Sequence, residues 1–133
     1  MTSIFKNEFI KVLKDAETGI LKAVWNDKAL LHQNFKESVT AFSDLVLKFE
    51  SKLILVDARL HKYTLSTDVQ NWHDAEIAPK YIKAKVKKIA FIQQASLFSE
   101  LTTKKVFESE KTIEAMKNGF FKTEAEALEW LNN

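Results

Sequence analysis

The chain has no cysteine. Disulfides and thiol nucleophiles are thereby excluded, and any metal site would have to use histidine and carboxylates. One proline and two glycines in 133 residues leave no room for a flexible linker. Gly19 and Gly119 stand alone, so no glycine-rich loop exists to cradle a phosphate. A single arginine, Arg59, stands against nineteen lysines. Lysine is a hydrated point charge, whereas arginine makes forked contacts with phosphates and bases; the balance predicts a solvated surface and no nucleic-acid partner. Twenty basic and eighteen acidic residues leave a net charge of +2, too little to imply a polyanionic partner. No apolar run approaches the ~18 residues of a membrane span, and "MTSIFKNEFIKV" has no signal-peptide core. No stable membrane insertion is expected, and the cytoplasm is the expected location.

What remains is an ordinary globular composition, 46% apolar and 29% charged, in a chain of single-domain length. One domain is expected over residues 1–133. "FIKVLK" (9–14) and "ILKAVW" (20–25) alternate with a period of two, and "DAETG" between them has turn chemistry, with Gly19 able to take a positive φ. This predicts a β-hairpin. In "NDKALLHQNFKESVTAFSDLVLKFE" apolar residues at 31, 35, 39, 42, 46 and 49 trace one helical face, with Asn26 or Asp27 as N-cap. "LILVDA" (53–58) and "KIAFIQ" (88–93) are short continuous apolar runs, the pattern of strands buried on both faces. Between them "STDVQNWHDAEIAP" predicts a helix with Thr67 and Gln70 at capping-box spacing and a break or kink at Pro79.

"SELTTKKVFESEK" (99–111) reads as a helix capped by Ser99. "IEAMKNGFF" reads as a strand near 113–117 followed by a turn at Asn118 and Gly119. "TEAEALEWL" carries a capping box from Thr123 to Glu126 and an apolar stripe of Ala127, Leu128 and Leu131. The order β-β-α-β-α-β-α-β-α predicts an α/β fold with a mixed sheet: parallel strands joined by helices, plus an antiparallel strand at one edge.

This layout resembles the STAS-like superfamily, and more narrowly the SpoIIAA-like group of small single-domain bacterial proteins. The strings that carry the likeness are "LKDAETGILKAVW", "LILVDAR", "TDVQNW", "KKIAFI" and "FFKTEAEALEWL", in that order and over nearly the whole chain. The resemblance implies a four- to five-stranded mixed sheet backed by helices, often in dimers, and regulatory modules that bind a partner protein. The best-known members carry a phosphorylatable serine in an Asp-Ser-Ser-like motif after the central strand. Here Asp57 is followed by "ARLHKYTLSTD", with no serine beside the acid; Ser66 and Thr67 occupy the helix start without that motif.

Ligands of open α/β sheets bind beyond the carboxyl ends of the strands. That places Asp57, Arg59 and His61, which would point the same way on an extended chain, at a candidate binding edge. Ser66, Thr67 and Trp72 extend it along the next helix. The plainer reading is that Asp57 and Arg59 pair with each other or cap a nearby helix, and that Ser66 and Thr67 are capping residues. His73 with Glu76 shares a helical face at i, i+3, but two ligands do not make a metal site. No GxSxG or HExxH motif occurs, so no catalytic residue, metal or cofactor is assigned. "KYIKAKVKK" (80–88) reads as a solvated connection before a buried strand rather than a contact with an anionic membrane or partner. Trp25, Trp72 and Trp130 read as core or interface anchors rather than ligand stackers, although Trp72 follows the cap on the helix beside the candidate edge.

The expected function is a non-enzymatic module that binds a protein partner or a second copy of itself as a homodimer. The alternative is a carrier of a small apolar ligand, comparable to lipid carriers of the CRAL-TRIO type, with the Leu31–Phe49 helix face lining a cavity. An enzyme using Asp57, His61 and His73 ranks third.

Overall fold

The computed structural model describes residues 1–61, 66–93 and 116–133. Its centre is a six-stranded mixed sheet with the strands in chain order: β1 (Thr2–Lys6), β2 (Ile10–Lys14), β3 (Leu21–Trp25), β4 (Leu53–Asp57), β5 (Lys88–Ile92) and β6 (Lys117–Phe121). The first two pairings are antiparallel and the remaining three are parallel. The helices are α1 (His32–Phe49), α2 (Thr67–Trp72), α3 (Ala78–Ala84) and α4 (Glu124–Asn132). A π-helical segment, His73–Ile77, joins α2 to α3. The expected helix over 99–111 lies outside the described residues.

The sheet has six strands, not four or five. The additional strand is β1, so the hairpin does not end the sheet as expected. "TSIFK" has no clean alternation, and its register shifts between Ser3 and Phe5, which brings both Ile4 and Phe5 against the core. Its link to β2 is set by Asn7, whose side-chain oxygen accepts from the backbone N–H of Phe9 (2.8 Å) and Ile10 (2.9 Å). This is local asparagine turn chemistry. The β2–β3 hairpin follows the predicted alternation, pairing Ile10 with Trp25 and Lys14 with Leu21, and Gly19 takes φ 75° in its turn.

Period-two alternation sends the strand residues to two separate cores. On one face Ile10, Val12, Leu21, Ala23, Ile54, Ile89 and Phe91 meet α1, α2 and α3 through Phe35, Val39, Phe42, Val46, Val69 and Tyr81. On the other, Leu55, Ala90 and Ile92 meet Ala127 and Leu131 of α4. Strands β4 and β5 are therefore covered on both sides, as their unbroken apolar runs require. Burying each such side chain stabilises the fold by about 1.5–3 kcal/mol. Phe35, Val39, Phe42 and Val46 of the α1 face pack against the sheet. Leu31 is not part of that face: it is 74% exposed and serves as the N-cap position.

The cap of α1 also differs from expectation. Asn26 instead extends the hairpin, donating its backbone N–H to Phe9 and its side-chain amide to the Glu8 carbonyl. Helix α1 begins six residues later, where the Asn34 side chain accepts from the Leu31 N–H. The helical segment is not broken at Pro79 as expected; it runs on through a widened turn. Lacking an N–H and crowding the carbonyl four residues back, the proline favours an inserted residue; the Ala78 N–H reaches five residues back, to the His73 carbonyl.

Asn118 and Gly119 do not form a turn. They lie inside β6, with Gly119 opposite Ala90, and residues 113–115 of the expected strand are outside the described region. Glycine is needed there for packing. A Cβ at 119 would stand 2.7 Å from the Phe121 ring and 3.3 Å from the Trp130 indole, which lean together over the strand. Gly119→Ala is expected to cost about 1–3 kcal/mol of stability, read as a lower urea midpoint. Adding Phe121→Leu should recover part of the loss; an unchanged midpoint for the single variant would contradict this packing.

Candidate functional site

Asp57 is the last residue of β4 and faces the α4 side, on the same alternation as Leu53 and Leu55. Its side chain is only 9% exposed. The carboxylate is therefore buried at the strand end, not open at a rim. Arg59 closes over it as a fork, Nε to Oδ1 at 2.9 Å and Nη2 to Oδ2 at 2.6 Å, and the Arg59 backbone N–H adds a third bond at 3.2 Å. Burial works to raise the carboxyl pKa, but the Arg59 hydrogen bonds and charge, helped by Lys22, hold it below the ordinary 3.8. This is the plainer of the two expectations for the pair.

A second ion pair stands nearby. Lys22, on the same sheet face, pairs with Glu124 in the first turn of α4. Sequence reasoning did not single out either residue, because 102 positions separate them. The available signal was the alternation in "ILKAVW", which turns Lys22 away from the face of Leu21 and Ala23 and toward a layer that must supply an acid. Together the four side chains alternate in sign at the carboxyl end of the sheet. Beside them Val24, Trp25, Asp57, Arg59 and Leu60 line a hollow of about 290 Å³.

His61 does not join this group. The His61 N–H bonds to the Ala58 carbonyl (3.2 Å), so the chain turns and the extended-chain expectation fails. The imidazole of this half-buried residue lies against Trp25 (4.5 Å between ring centroids) and Phe35 (5.9 Å). Burial lowers its pKa to about 4, so the ring is neutral at pH 7.

Ser66, not Thr67, caps α2: its hydroxyl accepts from the Val69 N–H at 3.3 Å, and Thr67 is the exposed first helical residue. The Thr67–Gln70 capping box is thus out of register by one. Trp72 is half-buried in a groove between α1 and α2, with the Lys36 ammonium 5.5 Å from its ring centroid. His73 is buried edge-on to Tyr81, with Nδ1 4.0 Å from the Asp74 carboxylate. Burial lowers its pKa to about 4 despite Asp74. Winding through the π segment buries His73 while leaving Glu76 exposed, so they do not form the expected pair on one face. No group of three metal-ligating side chains occurs among the described residues. The six candidate residues therefore divide into an ion pair with a buried carboxylate and a part-exposed guanidinium, an aromatic-packed histidine, a helix start and a surface tryptophan.

The structure of an uncharacterised protein of the DUF3478 family from Shewanella loihica PV-4, described as having a SpoIIAA-like fold, is similar to this one. The match has a TM-score of 0.60 at 19% identity, over 96% of this chain and 98% of that one. No family model matches the chain, and no curated protein does. The chain thus has the SpoIIAA-like variety of the STAS-like fold, with six strands; at this identity the likeness concerns the fold alone. No described helix is long and apolar enough to cross a membrane.

Two outcomes follow from the site's electrostatics. Asp57→Asn should lower stability at pH 7 by about 1–3 kcal/mol. Because the folded carboxyl has the lower pKa, its contribution is present above pH 3.8 and disappears on further acidification. The wild-type and variant unfolding curves should therefore converge below pH 4. The histidines act at a higher pH. Unfolded histidine takes up a proton near 6.5 and the buried rings near 4, so acidification through this interval favours unfolding. His61→Phe should remove about 2–3 kcal/mol of the stability lost between pH 7 and 4.5, measured by urea unfolding at both pH values. An equal loss in wild type and variant would show that His61 is not held neutral.

Proposed function

We propose that the chain is a non-enzymatic, single-domain cytoplasmic module that works by binding a protein: a regulatory partner or a second copy of itself. The observation that carries this reading is the state of Arg59. Its head group is held in a fixed orientation by a buried carboxylate, yet 44% of the side chain remains exposed. Leu60, 49% exposed, stands next to it above the hollow at the strand ends. An oriented guanidinium beside an exposed leucine is a pre-organised contact, because little side-chain freedom is left to lose on docking. Arginine is also among the residues that most often dominate interface energies. An acidic or phosphorylated group on the partner suits the donors that Asp57 leaves unused. Asp57, Ser66, His61 and His73 then serve the fold that presents this surface, and Thr67 and Trp72 extend the surface along α2.

Leu60→Glu is the informative variant, since it leaves the Asp57–Arg59 fork in place. The wild-type protein should self-associate at micromolar concentration by light scattering, or retain a defined partner on affinity capture. Leu60→Glu should weaken either association at least tenfold with unchanged circular dichroism. A wild-type protein that stays monomeric and retains nothing, or a variant that associates equally well, would overturn the reading.

A further inference from the structure

The opposite edge of the sheet carries a different kind of surface. Strands β4, β5 and β6 begin side by side, with Leu53 opposite Lys88 and Lys88 opposite Lys117. Backbone bonds from Lys87 to Lys52 and from Lys117 to Lys87 tie their starts into one row. The C-terminal ends of three helices reach the same edge. Helix α3 is tied there by the Lys52 ammonium on the Ala84 carbonyl (2.6 Å), α4 by the Lys88 ammonium on the Trp130 carbonyl (2.9 Å), and α1 through its short link to Lys52. Lys52 and Lys88 thus have a structural duty: they satisfy carbonyls at helix ends and oppose the negative pole of each dipole.

Five further lysines at this edge have no such duty. Lys48, Lys83, Lys85, Lys87 and Lys117 are all exposed, and none is in an ion pair among the described residues. Among the described residues, Glu50 follows α1 and Glu129 stands near the end of α4, while Asp15 and Glu17 lie in the β2–β3 turn that leads into the start of β3. Among the described residues the seven lysines named here thus outnumber those four acids at this edge. Ile82, 43% exposed, projects from the last turn of α3 among these lysines.

We propose that this lysine edge docks reversibly on an anionic membrane surface. The chemistry favours a charged plane over other polyanions. Lysines are point charges that attract without fixing the geometry of any one acceptor, and the chain's single arginine, the fork suited to one phosphate or carboxylate, lies at the opposite end of the sheet. A nucleic-acid surface would be expected to offer exposed rings for stacking. Here Trp130 is half-buried, packed on Phe121 and covered by the Lys88 ammonium at 5.1 Å. Ile82, flanked by the aliphatic stems of Lys83 and Lys85, supplies the shallow apolar contact of interfacial binders, and no insertion is needed. The surface is separate from the Arg59–Leu60 edge, so a docked molecule presents that edge away from the lipid.

The experiment is co-sedimentation with vesicles of phosphatidylcholine alone or with about one-third phosphatidylserine. Wild-type protein should pellet with the anionic vesicles only, and less as salt rises. Lys85 sits at φ 62°, where glycine is the more comfortable residue, so Lys85→Gly removes a charge without endangering the fold. Combined with Lys87→Gln and Lys117→Gln it should weaken binding about a hundredfold, at roughly fivefold per lysine. Ile82→Ser should weaken it further while leaving salt dependence intact. Absence of wild-type pelleting on anionic vesicles would overturn the proposal, as would equal pelleting of the triple variant. So would tighter binding to a DNA duplex or to polyglutamate than to vesicles at the same salt.

Discussion

Burial of β4 and β5 on both faces is the constraint on which the rest of this structure depends. A strand covered on one side needs only alternation; one covered on both needs an unbroken apolar run and a layer on each side. Here α1, α2 and α3 supply one layer and α4 the other. Every polar group near the centre has to leave the sheet at a strand end or be neutralised where it stands. Asp57 follows the second course, held by a fork from a residue two positions on. His61 and His73 are neutralised by loss of their protons, because the rings sit among aromatic and aliphatic neighbours that cannot solvate a cation.

The same layering gives the molecule two unlike edges. Strands β3 to β6 run in one direction, so α1, α2 and α4 all begin near their carboxyl ends and α1, α3 and α4 all finish near their amino ends. Acids gather at the starts, with Asp68 in α2 and Glu124 and Glu126 in α4. Lysines gather at the finishes. Part of this segregation answers the helix dipoles, as Lys52 and Lys88 do directly. The surplus at the amino edge goes beyond that need. The only arginine stands at the carboxyl edge beside an exposed leucine. Two surfaces of different chemistry are thus kept apart by the length of the strands.

Much of the fold was legible in the sequence. The β2–β3 hairpin, the α1 stripe, the two doubly buried strands and the Thr123-capped last helix all follow patterns with a period of two or about 3.6, and both periods survive in the structure. The failures have specific causes. Strand β1 was missed because a register shift spoils its alternation, and β6 was misplaced because Asn-Gly reads as a turn when the rings that exclude a side chain at 119 are not yet in view. The start of α1 was placed early because Asn26 has the chemistry of a cap but is held by the hairpin.

The candidate site was legible only in part. Asp57 with Arg59 could be paired from their spacing, since a carboxylate leaving a buried strand needs a partner within reach of the same loop. The placing of His61 beneath Trp25 and Phe35, the contact of Lys22 with Glu124 and the gathering of lysines from four elements along one edge could not. Local periodicity and turn chemistry act over a few residues, and there the sequence alone determines the outcome. Which distant side chains share a surface depends on strand order and on which face each helix covers, and those are decided only when the whole chain packs.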